Sequence, residues 1–182
     1  MARPEQKLDF RREDFSYTTC FCEENIWCLC RDLVEQDVSA NDLTVLFLSS
    51  PSRKTPILQQ KSSPHPDSPV LWDYHVILLM RNKGASWIFD FDSHLSFPVQ
   101  AGDYFQKCFY PQDTLSPEHQ VYIREISADE YLKTFTSDRS HMLDSEEKPL
   151  VRFPPYPPIN QNKEETISLM EYLDIEKMQL KA

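Results

Sequence analysis

Glycine is almost missing from this sequence. Two glycines stand against fourteen prolines in 182 residues, which points to ordered, proline-punctuated loops rather than long flexible ones. Basic residues are also in deficit. Nineteen Lys and Arg against 29 Asp and Glu leave a net charge of −10, which excludes the basic patch that a nucleic acid or an anionic membrane requires. A cationic partner, such as a peptide with a free α-ammonium, remains compatible, although most acidic surfaces only keep a protein in solution. No window approaches the roughly 18 apolar residues of a spanning helix. Residues 1–14 mix charges of both signs, without the apolar core of a signal peptide or the acid-poor, arginine-rich helix of a transit peptide. The expected compartment is the cytosol, with the nucleus open as well, where thiols stay reduced. Five cysteines, an odd number, fit that setting better than a disulfide framework.

What is present is a folded protein. With 40% hydrophobic and 12% aromatic residues, the chain suffices for one domain with a real core and is short for two. The expected division is a mobile or loosely docked N-terminal arm, 1–16, and a single domain, 17–182. Apolar residues at Ile26, Trp27, Cys30, Leu33 and Val34 predict a helix over about 22–34, with Glu23 and Glu24 in the first turn, where the helix dipole favours acids. Leu43–Leu48 reads as a strand, and Lys61–Pro69 as a surface loop. Gln120–Ile126 alternates like a strand, Ala128–Phe135 reads as a short helix, and the proline-rich Pro149–Pro158 must run mostly extended. Lys163–Leu180 has helical spacing, with Ile167, Met170, Leu173 and Met178 on one side. A helix first, strands next and mixed elements after predict an α+β fold.

The clearest hairpin joins Val70–Met80 to Ser86–Asp92. If Asn82 and Lys83 form the turn, directly paired positions sum to 165, and His75 lies opposite Asp90. Their Cβ atoms would then be about 5 Å apart on one face of the sheet. Asp73 and Asp92 share that face by alternation, so either could orient the histidine or contact a substrate.

Cys20, Cys22, Cys28 and Cys30 suggest a metal site at first sight. Zinc knuckles use wider spacing, however, and residues two apart on a helix point about 200° apart, so no metal is expected. Cys28, Cys30 and Cys108 read as small buried hydrophobes. Cys20 and Cys22 are the two contenders for a nucleophile, and Cys22 is favoured by its position in the first helical turn, where a thiol pKa is lowered. Of the five histidines, His65, His119 and His141 read as surface residues and His94 as a weaker rival. Only His75 lies inside an apolar strand. A cysteine on a helix, then a histidine and an aspartate on successive strands, is the layout of a papain-like or transglutaminase-like core, with the catalytic helix packed on an antiparallel sheet.

The surrounding words resemble the protein N-terminal glutamine amidohydrolase family. They are Cys22-Glu-Glu-Asn-Ile-Trp, Val70-Leu-Trp-Asp-Tyr-His-Val, Phe89-Asp-Phe-Asp with Phe97-Pro98 after it, Ser137-Asp-Arg-Ser-His-Met142 and Pro154-Pro-Tyr-Pro-Pro-Ile159. The likeness spans roughly residues 17–159 and departs from the family pattern near the C-terminus, where relatives usually carry a glycine-containing segment. It implies a triad of Cys22, His75 and Asp90 and a monomeric enzyme without a cofactor. It also implies a place in the N-degron pathway, where N-terminal glutamine of proteins and peptides is deamidated to glutamate before arginylation. The expected course is a cysteine thioester, with ammonia released. A carboxylate among Glu23, Glu24, Asp73 and Asp92 is expected to read the substrate α-ammonium. A cysteine peptidase or a transglutaminase-like acyl transferase would use the same triad, and a non-catalytic module would instead offer Pro154–Pro158 as a ligand.

Overall fold

A computed structural model describes residues 9–161 and 163–181. Helix α1 (Cys22–Glu35) is followed by strands β1 (Leu43–Ser49), β2 (Thr55–Ile57), β3 (Val70–Trp72), β4 (Tyr74–Asn82), β5 (Ala85–Phe89) and β6 (Val99–Gln100). Helix α2 (Ala101–Cys108), strand β7 (Tyr122–Ser127), helix α3 (Ala128–Thr134) and strand β8 (Phe135–Thr136) come next. The chain closes with β9 (Ile167–Ser168), α4 (Leu169–Tyr172) and β10 (Gln179–Leu180). Six strands form one sheet in the order β10-β7-β1-β4-β5-β6, and each neighbouring pair is antiparallel. The α+β class is as expected.

Both faces of this sheet are covered, which explains why its central strands read as continuous apolar runs. Val76, Leu78 and Met80 of β4 join Ile26, Leu29 and Leu33 of α1 in one core. Ile77 and Leu79, the alternate residues, pack with Tyr104 and Cys108 of α2 in another. The hairpin departs from the expected register. Its turn is Lys83–Gly84, and paired residues sum to 167, as in Leu78↔Phe89 and Asn82↔Ala85. Both turn residues have positive φ, 48° and 82°, the requirement of the two-residue turn that matches strand twist. Moving the turn by one residue shifts the sum by two. Parity, and with it the shared face of His75 and Asp90, survives.

Two other expectations change. The described part of the N-terminal arm is docked firmly. Phe15 is buried against the α1 side of the sheet, and the Arg12 guanidinium donates to the carbonyls of Asp90, Ser93 and Leu95; residues 1–8 lie outside the described residues. The expected long helix over 163–180 is instead β9, the four residues of α4, a 3-10 turn at Ile175–Lys177 and β10. Ser168 and Glu171 form a capping box that starts α4, and the Asp174 side chain accepts from Glu176 N–H to start the 3-10 turn. Leu180 and Gln179 then pair with the open edge of β7, so unsatisfied strand groups outcompete helical spacing.

Candidate active site

Cys22 is the first residue of α1, with Phe21 as its N-cap. The helix starts there because the Asn25 side chain reaches back seven residues, exchanging hydrogen bonds with both the N–H and the C=O of Thr18. That closes the preceding turn, in which Cys20 is held at φ 68°. Cys22 is half-buried and Cys20 exposed. The Val76 backbone N–H faces the Cys22 sulfur, so the thiol sits against β4 one residue past His75.

His75 and Asp90 meet in the interior. His75 Nε2 lies 2.9 Å from Asp90 Oδ1, and both side chains are 1% exposed. The remaining capacity of the carboxylate is used as well. Oδ2 accepts from Gln60 Nε2 at 3.0 Å and from Tyr104 OH at 2.7 Å, while Oδ1 also accepts from the Asp92 N–H. Trp72 stacks on the imidazole, with centroids 5.2 Å apart and planes 16° from parallel. Burial alone would raise the Asp90 pKa, but His75 and the hydrogen bonds from His75, Gln60 and Tyr104 hold it below the usual carboxylate range. Burial would likewise lower the His75 pKa, and the Asp90 charge and hydrogen bond raise it instead. The histidine is thereby oriented and made more basic, with Nδ1 buried and unbonded.

Gln60 and Tyr104 went unnoticed in the sequence because one lies in a loop and the other in a helix with no distinguishing spacing. The four proposed acids fare differently. Asp73 and Asp92 line a cavity of about 290 Å³ with Cys20, Cys22, Trp72 and His141. Asp92 accepts a hydrogen bond from Tyr17 OH. Glu23 is wholly buried beside the sulfur, its Oε2 3.6 Å from Cys22 Sγ and 2.9 Å from Tyr74 OH. Glu24 departs from expectation. Its oxygens accept from Ser137 OH and from the Arg139 guanidinium at 2.7–2.9 Å; it is wholly buried, its charge answered by Arg139, and it anchors the helix. His141 is exposed, as its surface reading expects, and it also lines the cavity.

The thiol itself reverses an expectation. Burial first, then the charges of Glu23 and Asp92, push the Cys22 pKa well up. The Cys22 sulfur therefore holds its proton more firmly than an ordinary thiol. Among the described residues, His75, Asp90 and Asp92 are the one group with ligand atoms close enough to share a metal. His75 Nε2 and both Asp90 oxygens are already engaged with protein partners, so this donor set is suited to orienting an imidazole.

Buried polar atoms without partners are costly and rare. Among the described residues they include His75 Nδ1, Trp72 Nε1 and Glu23 Oε1, and the Glu23 carboxylate adjoins the half-buried Cys22 thiol. The N-terminal glutamine amidase family model matches residues 17–182. The chain belongs to this family. A Danio rerio relative is 43% identical over 143 residues, covering 78% of this chain and 70% of its own. A Homo sapiens relative is 40% identical over 148 residues, covering 80% and 72%. An Arabidopsis thaliana relative is 36% identical over 165 residues, covering 87% and 75%. Each is named protein N-terminal glutamine amidohydrolase. The family match runs past residue 159, where the recognisable words end, to the last residue.

Proposed function

We propose that this protein hydrolyses the side-chain amide of an N-terminal glutamine, giving glutamate and ammonia, with Cys22 as nucleophile, His75 as acid–base and Asp90 as its orienter. The observation that carries the reading is the buried His75–Asp90 pair, its free Nδ1 on the strand against which the Cys22 sulfur rests. His75 Nδ1 takes the thiol proton as sulfur attacks the γ-carboxamide carbon. The tetrahedral oxyanion is met by first-turn N–H groups of α1, which lack intrahelical acceptors, that of Cys22 foremost. His75 returns the proton to the departing nitrogen, and ammonia leaves a γ-glutamyl thioester. Water then gives a proton to His75 and adds to the thioester carbon. Sulfur departs, takes the proton back, and glutamate is released. Asp90 keeps Nε2 protonated and stabilises the imidazolium.

Asp73 and Asp92, which line the cavity, supply negative charge for the α-ammonium of the substrate, and no cofactor enters this scheme. A papain-like or transglutaminase-like ancestry, a single catalytic domain over 17–182, a monomeric state and a cytoplasmic or nuclear place in the N-degron pathway are proposed with it. The test is ammonia release from a Gln-starting peptide, with internal-Gln peptides as controls. Ammonia with the chain length preserved supports the amidohydrolase. A new N-terminus would favour a cysteine peptidase, and transfer of the glutamyl group to an added amine an acyl transferase.

A further inference from the structure

His141 belongs to the Ser137–Met142 word, and the hydrolysis above gives it no part. It stands in the 3-10 turn Ser140–Met142, its side chain 27% exposed. Its Nε2 lies 3.4 Å from Glu23 Oε1 and 3.4 Å from Tyr74 OH. Tyr74 OH donates to Glu23 Oε2 at 2.9 Å, and that oxygen is also 3.6 Å from the Cys22 sulfur. The contact with Oε1 brings the charges together without the alignment of a hydrogen bond, since Oε1 has no bonded partner. A wholly buried carboxylate against a thiol opposes formation of the thiolate unless a cation answers it.

We infer that His141 is a positioning residue that, as imidazolium, offsets the Glu23 charge and so permits Cys22 to lose its proton. Two histidine–carboxylate pairs then have separate tasks. His75–Asp90 moves protons, and His141–Glu23 sets the charge felt at the sulfur. The inference rests on the amidohydrolase reading only for what Cys22 attacks, because the coupling belongs to the free protein.

The other charged and titratable groups around this cluster do not replace His141: Arg53 also lines the cavity but forms no ion pair with Glu23. Glu24 on α1 is committed to Arg139. From the sheet side, His75 is committed to Asp90, while Asp73 and Asp92 carry the same sign as Glu23. Tyr131 of α3 donates to the Glu23 carbonyl, Asp138 lies in the same segment as His141, and Cys20 lies across the cavity. Burial weakens the basicity of His141, but the close approach and charge of Glu23, aided by Asp138 and Asp73, raise it above the ordinary 6.5. The imidazolium is therefore kept to a higher pH than that of an ordinary histidine and lost as pH rises through the raised value.

The test follows the rate of iodoacetamide alkylation of Cys22 against pH, by peptide mass spectrometry in a Cys20→Ser background. His141→Gln should move the profile up by about one pH unit, roughly a tenfold slower reaction at neutral pH, and His141→Lys should restore it. Glu23→Gln should move the profile down, and adding His141→Gln to it should change nothing further. A folded His141→Gln protein with an unmoved profile overturns the inference, as does a shift that persists at full size without Glu23. Melting curves establish folding, and the two His141 variants decide the matter if Glu23→Gln does not fold. Ammonia release from a Gln-starting peptide separates the two claims. Its absence in the wild type defeats the hydrolase reading and leaves the coupling standing, whereas normal release with an unmoved profile defeats the coupling alone.

Discussion

Cys20 and Cys22 are two residues apart, and the start of α1 divides them. Cys22→Ala should reduce ammonia release by roughly 10⁴-fold or more while the melting temperature stays close to wild type. Cys20→Ala should keep most activity, since Cys20 precedes the helix and faces solvent. The reverse outcome would refute the assignment. His75 makes a second prediction through pH. Its pKa is raised in the folded state, so its pairing stabilises fully below the ordinary 6.5 and is lost as pH rises through the folded value. Asp90, depressed, contributes above the ordinary carboxylate range and fails as pH falls through its folded value. The stability gap between wild type and His75→Gln, from urea unfolding, should therefore be larger at pH 6 than at pH 9. A constant gap would show that packing, and not charge, sets the effect. At this scale the sequence disclosed residues carrying local signals: a helix-start thiol, a histidine in an apolar strand and an aspartate of matching parity. Gln60 and Tyr104 gave none, because each reaches the site from a segment whose own pattern is unremarkable, while His141 stood in the Ser137–Met142 word but in a charged stretch that read as surface.

Elements were legible where one periodicity ruled. Helix α1 ends within a residue of expectation, at Glu35, since its apolar stripe has one partner surface. The C-terminal stretch failed because apolar residues at helical spacing also serve short pieces that change direction, and Met170 is 60% exposed. In the hairpin, Gly84 was the better turn marker than Asn82, because only glycine takes φ 82° without strain. A Cβ at Gly84 would meet nothing within 4 Å, so Gly84→Ala tests backbone conformation alone. It should cost about 1–2 kcal/mol in chemical denaturation, and a cost near zero would refute a strained position. The buried Glu24–Arg139 pair tests how α1 is held. Arg139 also lies over the rings of Phe21, Phe153 and Tyr156, tying the proline-rich segment to the nucleophile's helix. Arg139→Ala leaves a buried carboxylate unpaired and should cost about 3–5 kcal/mol. Activity should fall in the protein that remains folded, because Glu24 is two residues from Cys22.

Across the whole molecule the charge of −10 acquires a local counterpart, for Asp73 and Asp92 line the cavity and Glu23 is buried behind it. Such a cavity should take a cation readily and reject the same peptide once its amine is blocked. Acetylating the N-terminal glutamine removes the ammonium and leaves a desolvated carboxylate without its partner. The loss should be on the order of 2–5 kcal/mol, or roughly 30-fold to several thousand-fold in kcat/KM. Salt should reverse little of the preference, because a contact made inside the cavity is screened far less than one at the surface. N-terminal asparagine should fail for a different reason. With the ammonium anchored, its shorter side chain leaves the carbonyl carbon roughly an ångström from the attacking position, and an error of that size can cost about a hundredfold. Kinetics on Gln-, acetyl-Gln- and Asn-starting versions of one peptide, at two salt concentrations, measure all three effects. Comparable rates on the acetylated peptide would remove the anchored amine from the scheme and turn it towards general glutaminyl acyl transfer, in which the acids of the cavity have no ammonium to read.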